Sequence, residues 1–219
     1  MTVITLAARK GGVGKTLLTA SLSVLAAMTS NDDDDDDRPD HGGVAVIDMD
    51  PQGTLTAWRN SRAAPYPAIV QSRSAVLSLT VGHLREDGFH TVFVDAPPGH
   101  GDMVVQAMRA ADLVVIPVKA GELDLLATMD TIAIAQRLGR PYLVLPNDAT
   151  FRSIAMGQTI RTLTEASIPT MAAVHHRVDA ILTRGRTANE RSPRSRAAAE
   201  LATAWHQIKS ELTTIHRRR

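Results

Sequence analysis

After a short apolar run the chain reads Arg9-Lys10-Gly11-Gly12-Val13-Gly14-Lys15-Thr16, a set of residues suited to holding phosphate. Glycines let the backbone wrap closely round an anion and turn its N–H groups inward, and a helix beginning near Lys15 adds its positive end. In such a loop Lys15 reaches the β- and γ-phosphates and the Thr16 hydroxyl serves Mg2+, while Gly11, Gly12, Val13, Gly14 and Leu17 complete the wall. Two further boxes end apolar runs in carboxylates: Val46-Ile47-Asp48-Met49-Asp50-Pro51-Gln52-Gly53 and Val92-Phe93-Val94-Asp95-Ala96-Pro97-Pro98-Gly99. A lone aspartate at a strand end is usually a turn residue or a cap. Two such boxes following a phosphate loop in one chain leave that bland reading little room.

These residues need elements to carry them. Apolar, β-branched runs predict strands at Thr2–Ala8, Val44–Asp48, Thr91–Asp95, Leu113–Pro117, Tyr142–Leu145 and Thr170–Val174. Most are apolar throughout, as parallel strands covered on both faces must be. Helical periodicity falls between them, at Lys15–Met28, Ala75–Arg85, Gly101–Ala110, Leu123–Leu138 and Ser153–Ala166. The alternation predicts an α/β fold with a mostly parallel twisted sheet, helices on both faces and ligands at the carboxyl ends of the strands. A last helix, opened by Ser192 and Pro193, carries Leu201, Trp205, Ile208, Leu212 and Ile215 on one stripe. That stripe either packs on the sheet or lies on a membrane surface ahead of Arg217-Arg218-Arg219.

Composition narrows the chemistry. The 219 residues, 44% hydrophobic and 21% charged, predict one domain over 1–219 with a sizeable core. With 3% aromatics there are few rings for stacking on single-stranded nucleic acid. Zero cysteines exclude iron–sulfur clusters, Cys-ligated zinc and thiol nucleophiles, and fit a cytoplasmic setting. There is no signal-peptide pattern at the start and no apolar run approaching the roughly 18 residues of a membrane span, so no membrane partner is expected. The eight histidines show no metal-ligand spacing, His175 and His176 being adjacent.

The overall charge of +1 hides a polarity. Residues 177–219 hold ten Arg or Lys against four acidic residues, a balance of +6, which leaves the first 176 residues at −5. Within 31–43 lie six consecutive aspartates, Asp32 to Asp37, read as a solvated surface loop or as an acidic lip that repels nucleic acid.

With Arg9 at the usual first glycine and Lys10 following it, the loop has the form K-G-G-x-G-K-T, the deviant Walker A motif. Together with the D-x-D-P-Q-G box at Asp48–Gly53 and a Walker B-like end at Asp95, it resembles the ParA/MinD family of ATPases, and in particular the small ParA-type DNA-partitioning members. The resemblance is strong to about residue 130 and looser beyond. It implies a P-loop NTPase fold, ATP and Mg2+ as cofactors, and weak hydrolysis stimulated by a partner. Lys10 then reaches the phosphates of the other subunit in a nucleotide-sandwich dimer. Lys15 belongs to the catalytic set, Asp50 positions the attacking water, and Thr16, Asp48 and Asp95 serve the metal. Asn147 takes the adenine contact, although Pro146-Asn147-Asp148 stands where the family more often has Asn-Arg. Leu17 replaces a usual Thr.

The same resemblance implies a homodimer with ATP, non-specific DNA binding on the nucleoid, and a ParB-like centromere-binding or adaptor partner. By region, Arg184, Arg186, Arg191, Arg194 and Arg196 match the family's DNA-contacting basic residues. The cargo is a plasmid, a chromosome or another assembly. Two rival readings stand beside this one: a MinD-like membrane-associated ATPase, which needs the last helix to expose its stripe, and an ATP-dependent amide ligase of related fold.

Overall fold

The computed structural model describes residues 1–30, 43–99, 101–150, 152–176, 182 and 184–218. The acidic run Asp32–Asp37, and Arg177 and Arg219 of the basic region, lie outside the described residues. Six strands form one all-parallel sheet: β1 (Thr2–Leu6), β2 (Val44–Asp48), β3 (Ala68–Gln71), β4 (Thr91–Asp95), β5 (Leu113–Val118) and β6 (Tyr142–Pro146), in the spatial order β3-β2-β4-β1-β5-β6. The order reverses direction beside β1, so the loop after β1 opens into the crevice at a topological switch point.

Alternate residues of each strand feed two separate cores, because side chains point to opposite faces with a period of two. On one face Ile4, Leu6, Val44, Val46, Phe93, Leu113 and Val115 pack under α1 (Lys15–Ser30) and α8 (Arg196–Arg218). On the other, Val3, Ala45, Ile47, Val92, Val94, Val114 and Ile116 pack under α3 (Leu77–Glu86), α4 (Asp102–Ala110), α5 (Glu122–Arg137) and α6 (Ile154–Glu165). Two short helices, α2 (Thr54–Asn60) and α7 (Ala188–Arg191), and a 3-10 turn at Ser74–Val76 complete the described set.

The expected P-loop NTPase architecture is present, with α7 and the following features as differences in detail. Strand β3 and helix α2 were not anticipated: β3 is a four-residue run, Ala68-Ile69-Val70-Gln71, and α2 carries only Leu55 and Trp58 as buried anchors. The segment Thr170–Val174 is no strand. It makes a single bridge, Val144 with Thr170, and a second follows it at Ala149 with His175. Pro146 and Pro169 lack N–H donors, so no continuous ladder forms beside β6. The last helix begins at Arg196 rather than at Ser192-Pro193, because the Ser195 hydroxyl accepts the Ala198 N–H at 3.1 Å and so caps the new turn.

The apolar stripe of α8 is buried: Leu201 is 2% exposed, Trp205 7%, Ile208 0%, Leu212 8% and Ile215 7%. Trp205 packs on Phe93 of β4, with ring centroids 5.9 Å apart, and donates its indole N–H to Thr29 Oγ1 at 3.2 Å. The condition for a membrane-docking stripe is therefore not met. No helix among the described residues is long and apolar enough to cross a membrane.

Candidate functional site

The loop from Arg9 to Gly14 leaves β1 at the centre of the sheet and turns directly into α1, whose first residue is Lys15. Gly12 and Gly14 adopt positive φ of 74° and 93°, a conformation open to glycine and strained for other residues. At Gly14 there is a second reason for glycine. A Cβ there would run into the side-chain amide of Asn147, which crosses from the end of β6 and donates to the Val13 carbonyl at 2.8 Å. Asn147, 5% exposed, thus backs the phosphate loop as well as lining the cavity beside it.

Four of the anticipated site residues converge at the start of α1. Asp95 and Asp48 face each other in register on adjacent strands β4 and β2 and are 1% and 2% exposed. Asp95 accepts hydrogen bonds from Thr16 Oγ1 at 2.8 Å and Thr19 Oγ1 at 3.3 Å. Burial pushes its carboxyl up to about 7; the Thr16 bond opposes this, the neighbouring Asp48 charge adds to it, and Lys15 and Thr19 oppose it. Lys15 is 7% exposed, and burial pulls its ammonium below the ordinary lysine value while Asp95 and Asp50 push back. Two buried carboxylates and a hydroxyl gathered beside a lysine form an oxygen donor set with surplus negative charge, which a hard divalent cation would neutralise. These residues fit Mg2+ by type.

Asp48 has a structural task too. Its Oδ1 accepts the Asp50 N–H at 3.1 Å, and its Oδ2 accepts the Thr56 N–H at 3.1 Å and hydroxyl at 3.2 Å, so it ties the turn and the start of α2 to the strand end. Asp50 is half-buried in that turn and faces a cleft of about 670 Å3 shared with Gln71, Ser72 and Arg73.

On the other side of the loop a cavity of about 220 Å3 is lined by Gly12, Gly14, Leu17, Leu18, Ser21, Asn147 and the segment from Val174 to His176. Its Ser21 hydroxyl is buried without a hydrogen-bond partner, a polar atom suited to meeting a ligand. Leu17 supplies apolar wall here. Lys119, Asp148, His175 and His176 also line it, and sequence reasoning had given both histidines no chemistry. Asp148 pairs with Lys119 and with His176, and Glu200 of α8 accepts from the His175 N–H and bonds its Nδ1, both at 3.0 Å. Adjacent histidines lack metal-ligand spacing, and nothing local in the sequence shows that the chain returns to the phosphate loop at that point. Among the described residues no cluster of His, Cys, Asp and Glu has the form of a metal site.

Lys10 stands apart from this group. Its side chain is 44% exposed, and its Nζ reaches Asp124 Oδ2 in the first turn of α5 at 2.7 Å. Arg9 leans on the same helix, pairing with Asp130 and donating its backbone N–H to Thr131 Oγ1 at 3.3 Å. Of the C-terminal arginines, Arg184, Arg186, Arg194 and Arg196 are exposed and Arg191 is half-buried, on a segment that runs from 184 through α7 to the start of α8.

The chain matches the model of the CobQ/CobB/MinD/ParA nucleotide binding domain over residues 4–200. It is 28% identical over 164 residues to the chromosome-partitioning ATPase Soj of Thermus thermophilus, covering 59% of this chain and 61% of that one. It is 31% identical over 134 residues to the maintenance of carboxysome distribution protein A of Halothiobacillus neapolitanus, covering 58% of this chain and 55% of that one. The alignments thus span less than two thirds of these relatives. The structure of apo McdA from Cyanothece superposes with a TM-score of 0.77 at 19% identity, covering 97% of this chain and 99% of that one. Phosphate loop, parallel sheet and matched length agree, and the chain belongs to the CobQ/CobB/MinD/ParA nucleotide-binding family, with a deviant Walker A loop of the ParA/MinD kind.

Proposed function

We propose that this protein is a ParA-type switch that binds Mg2+ and ATP, dimerises around the nucleotide, binds DNA without sequence preference and hydrolyses ATP slowly until a ParB-like or adaptor partner stimulates it. The observation that carries this reading is Lys10. A lysine held at the exposed lip of the phosphate loop by a neighbouring helix is free to exchange Asp124 for an anion presented by a second subunit, whereas Lys15 is committed to its own loop. The backbone of Gly11 to Gly14 and the Lys15 ammonium would hold the phosphates. Leu17, Ser21 and Asn147 would face the nucleoside. Thr16, Asp95 and Asp48 would hold Mg2+, which supplies charge neutralisation on the phosphate oxygens. Asp50, on a turn fixed by Asp48, would orient the attacking water.

The exposed arginines from 184 to 196 supply the DNA-binding surface, and pairing two subunits doubles it. Soj and the carboxysome distribution protein A act on different cargoes by name. The cargo here is an object moved on DNA in the cytoplasm. The deciding experiment measures binding to an arbitrary duplex with Mg-ATP, Mg-ADP and no nucleotide, each over a salt series. ATP-dependent binding that falls steeply with salt supports the reading, and Arg194→Glu with Arg196→Glu should weaken it while ATP turnover persists. Absence of DNA binding in every state refutes it.

One observation favours a second reading, the amide ligase. The cleft beside Asp48, Asp50 and Arg73, next to the phosphate loop, has room for a small co-substrate. An ATP turnover that depends on an added carboxylic acid and amine donor, and not on DNA, would select it.

A further inference from the structure

Arg62 is a buried charge, 7% exposed, that the phosphate chemistry does not use. It follows α2, and its guanidinium reaches across to the arginine-bearing segment. Nη1 donates to the Gly185 carbonyl at 2.6 Å and to Glu190 Oε2 at 3.0 Å, and Nη2 donates to the Tyr66 carbonyl at 2.8 Å and to Glu190 Oε1 at 2.8 Å. Its Cζ lies over the Trp58 ring, 4.6 Å from the centroid. Glu190 also accepts the Thr187 N–H at 2.8 Å and hydroxyl at 3.1 Å, closing the capping box that opens α7. Gly185, at φ 72°, presses on the backbone of Ser61 and Arg62 so closely that a Cβ would overlap it.

A buried ion pair is a poor source of stability, since well-packed apolar residues of the same size often do as well or better. What a two-pronged guanidinium–carboxylate pair supplies is direction, because it fixes both distance and angle. The other end of α2 is equally constrained. Asp48 holds Thr56, and Gly53 and Gln52 bond back to Asp50 at 2.9 and 3.0 Å. Seven residues of helix, about 10 Å long, therefore join the carboxylate turn of the nucleotide site to the segment carrying Arg184, Arg186 and Arg191.

We propose that Arg62 and Glu190 form a buried clasp through which α2 passes a nucleotide-dependent shift of the Asp48–Asp50 turn to the arginine segment, so that the two are positioning residues for the DNA-binding surface. This rests on the DNA-binding reading above, and the two can fail separately. In Arg62→Lys the charge stays and the two-pronged geometry is lost; in Glu190→Gln the shape stays and the charge is lost. The expected result in both is ATP affinity and DNA-free ATP turnover at the level of the unsubstituted chain, with the ratio of DNA affinities in Mg-ATP and Mg-ADP reduced by about tenfold. A merely structural role would instead lower turnover and melting temperature together and leave that ratio intact, which overturns the proposal. Should either variant fold poorly, amide hydrogen exchange on the unsubstituted chain decides without DNA. Exchange at 54–62 and at 184–191 should change together between Mg-ADP and Mg-ATP. A change at 54–62 alone, or at neither, overturns the clasp. If the unsubstituted chain binds no DNA while exchange at both segments moves together, the DNA reading fails and the clasp stands as the link to another partner.

Discussion

Replacing Asp124 by alanine should tighten ATP-dependent dimerisation. In the free subunit Lys10 Nζ is 2.7 Å from Asp124 Oδ2, with side chains 44% and 13% exposed, so the pair is partly solvated. Pairs of that kind are worth about 0.5–1 kcal/mol each, near the upper end for surface ion pairs. If each subunit must break this contact for Lys10 to reach across the interface, a dimer forfeits it twice, about 1–2 kcal/mol in all, or about 5- to 30-fold in the association constant at 25 °C. Asp124→Ala removes that cost in advance. The substitution is otherwise mild, because alanine suits a helix and Asp124 Oδ1 is buried without a hydrogen-bond partner, so no satisfied group is orphaned. Sedimentation equilibrium over a concentration series, with Mg2+ and a non-hydrolysable ATP analogue, gives the constant directly. A dimer no tighter than that of the unsubstituted chain would show that Asp124 does not compete for Lys10. Lys10→Ala in the same background should abolish the gain, since no lysine is then left either to pair with Asp124 or to cross the interface.

Gly14→Ala places a side chain at φ 93° and against the Asn147 amide, so nucleotide affinity should fall by about tenfold or more as the loop shifts; titration with a fluorescent ATP analogue measures it, and an unchanged affinity refutes the account of the loop. Ile208→Ala, at a fully buried position on the α8 stripe, should lower stability by about 2–5 kcal/mol in denaturant unfolding; a cost below 1 kcal/mol would mean that α8 is not packed on the sheet. Stability should also carry an acid limb from Glu190. Burial draws its pKa up, but hydrogen bonds from Arg62 and Thr187 prevail and hold it below the ordinary value. The clasp's contribution is therefore complete above about pH 4.3, the ordinary glutamate value, and is lost as pH falls from there through the depressed value. Thermal melts between about pH 6 and about pH 3 should fall more steeply for the unsubstituted chain than for Glu190→Gln, and parallel curves would contradict this assignment.

Much of the protein is local information. The octet from Arg9 to Thr16 announces a phosphate loop because each residue type has its task within that one turn, and glycine spacing with Lys-Thr at a helix start needs no distant partner to be recognised. The apolar runs ending at Asp48 and Asp95 likewise declare buried parallel strands with carboxylates at their ligand-facing ends, and the structure puts those two carboxylates in register on neighbouring strands. Short elements were harder to read. Ala68–Gln71 and Thr54–Asn60 carry too few periods for a pattern to show, and they exist because a sheet edge and a buried Trp58 hold them. Thr170–Val174 looks like a strand in composition, yet Pro146 of its neighbour β6 and Pro169 just before it deny it a ladder.

What tertiary structure alone decided is which distant residues meet. Asp124 lies 114 positions from Lys10, and Glu190 lies 128 from Arg62; His175 and His176 reach the cavity beside the glycine-rich loop only because the chain folds back along β6 and Glu200 holds it there. An amphipathic stripe is the same sequence whether it meets lipid or sheet, and only the packing of Trp205 on Phe93 resolved it. Local chemistry is written in neighbours along the chain; long-range charge pairing depends on loop closure and burial, which no window of sequence contains.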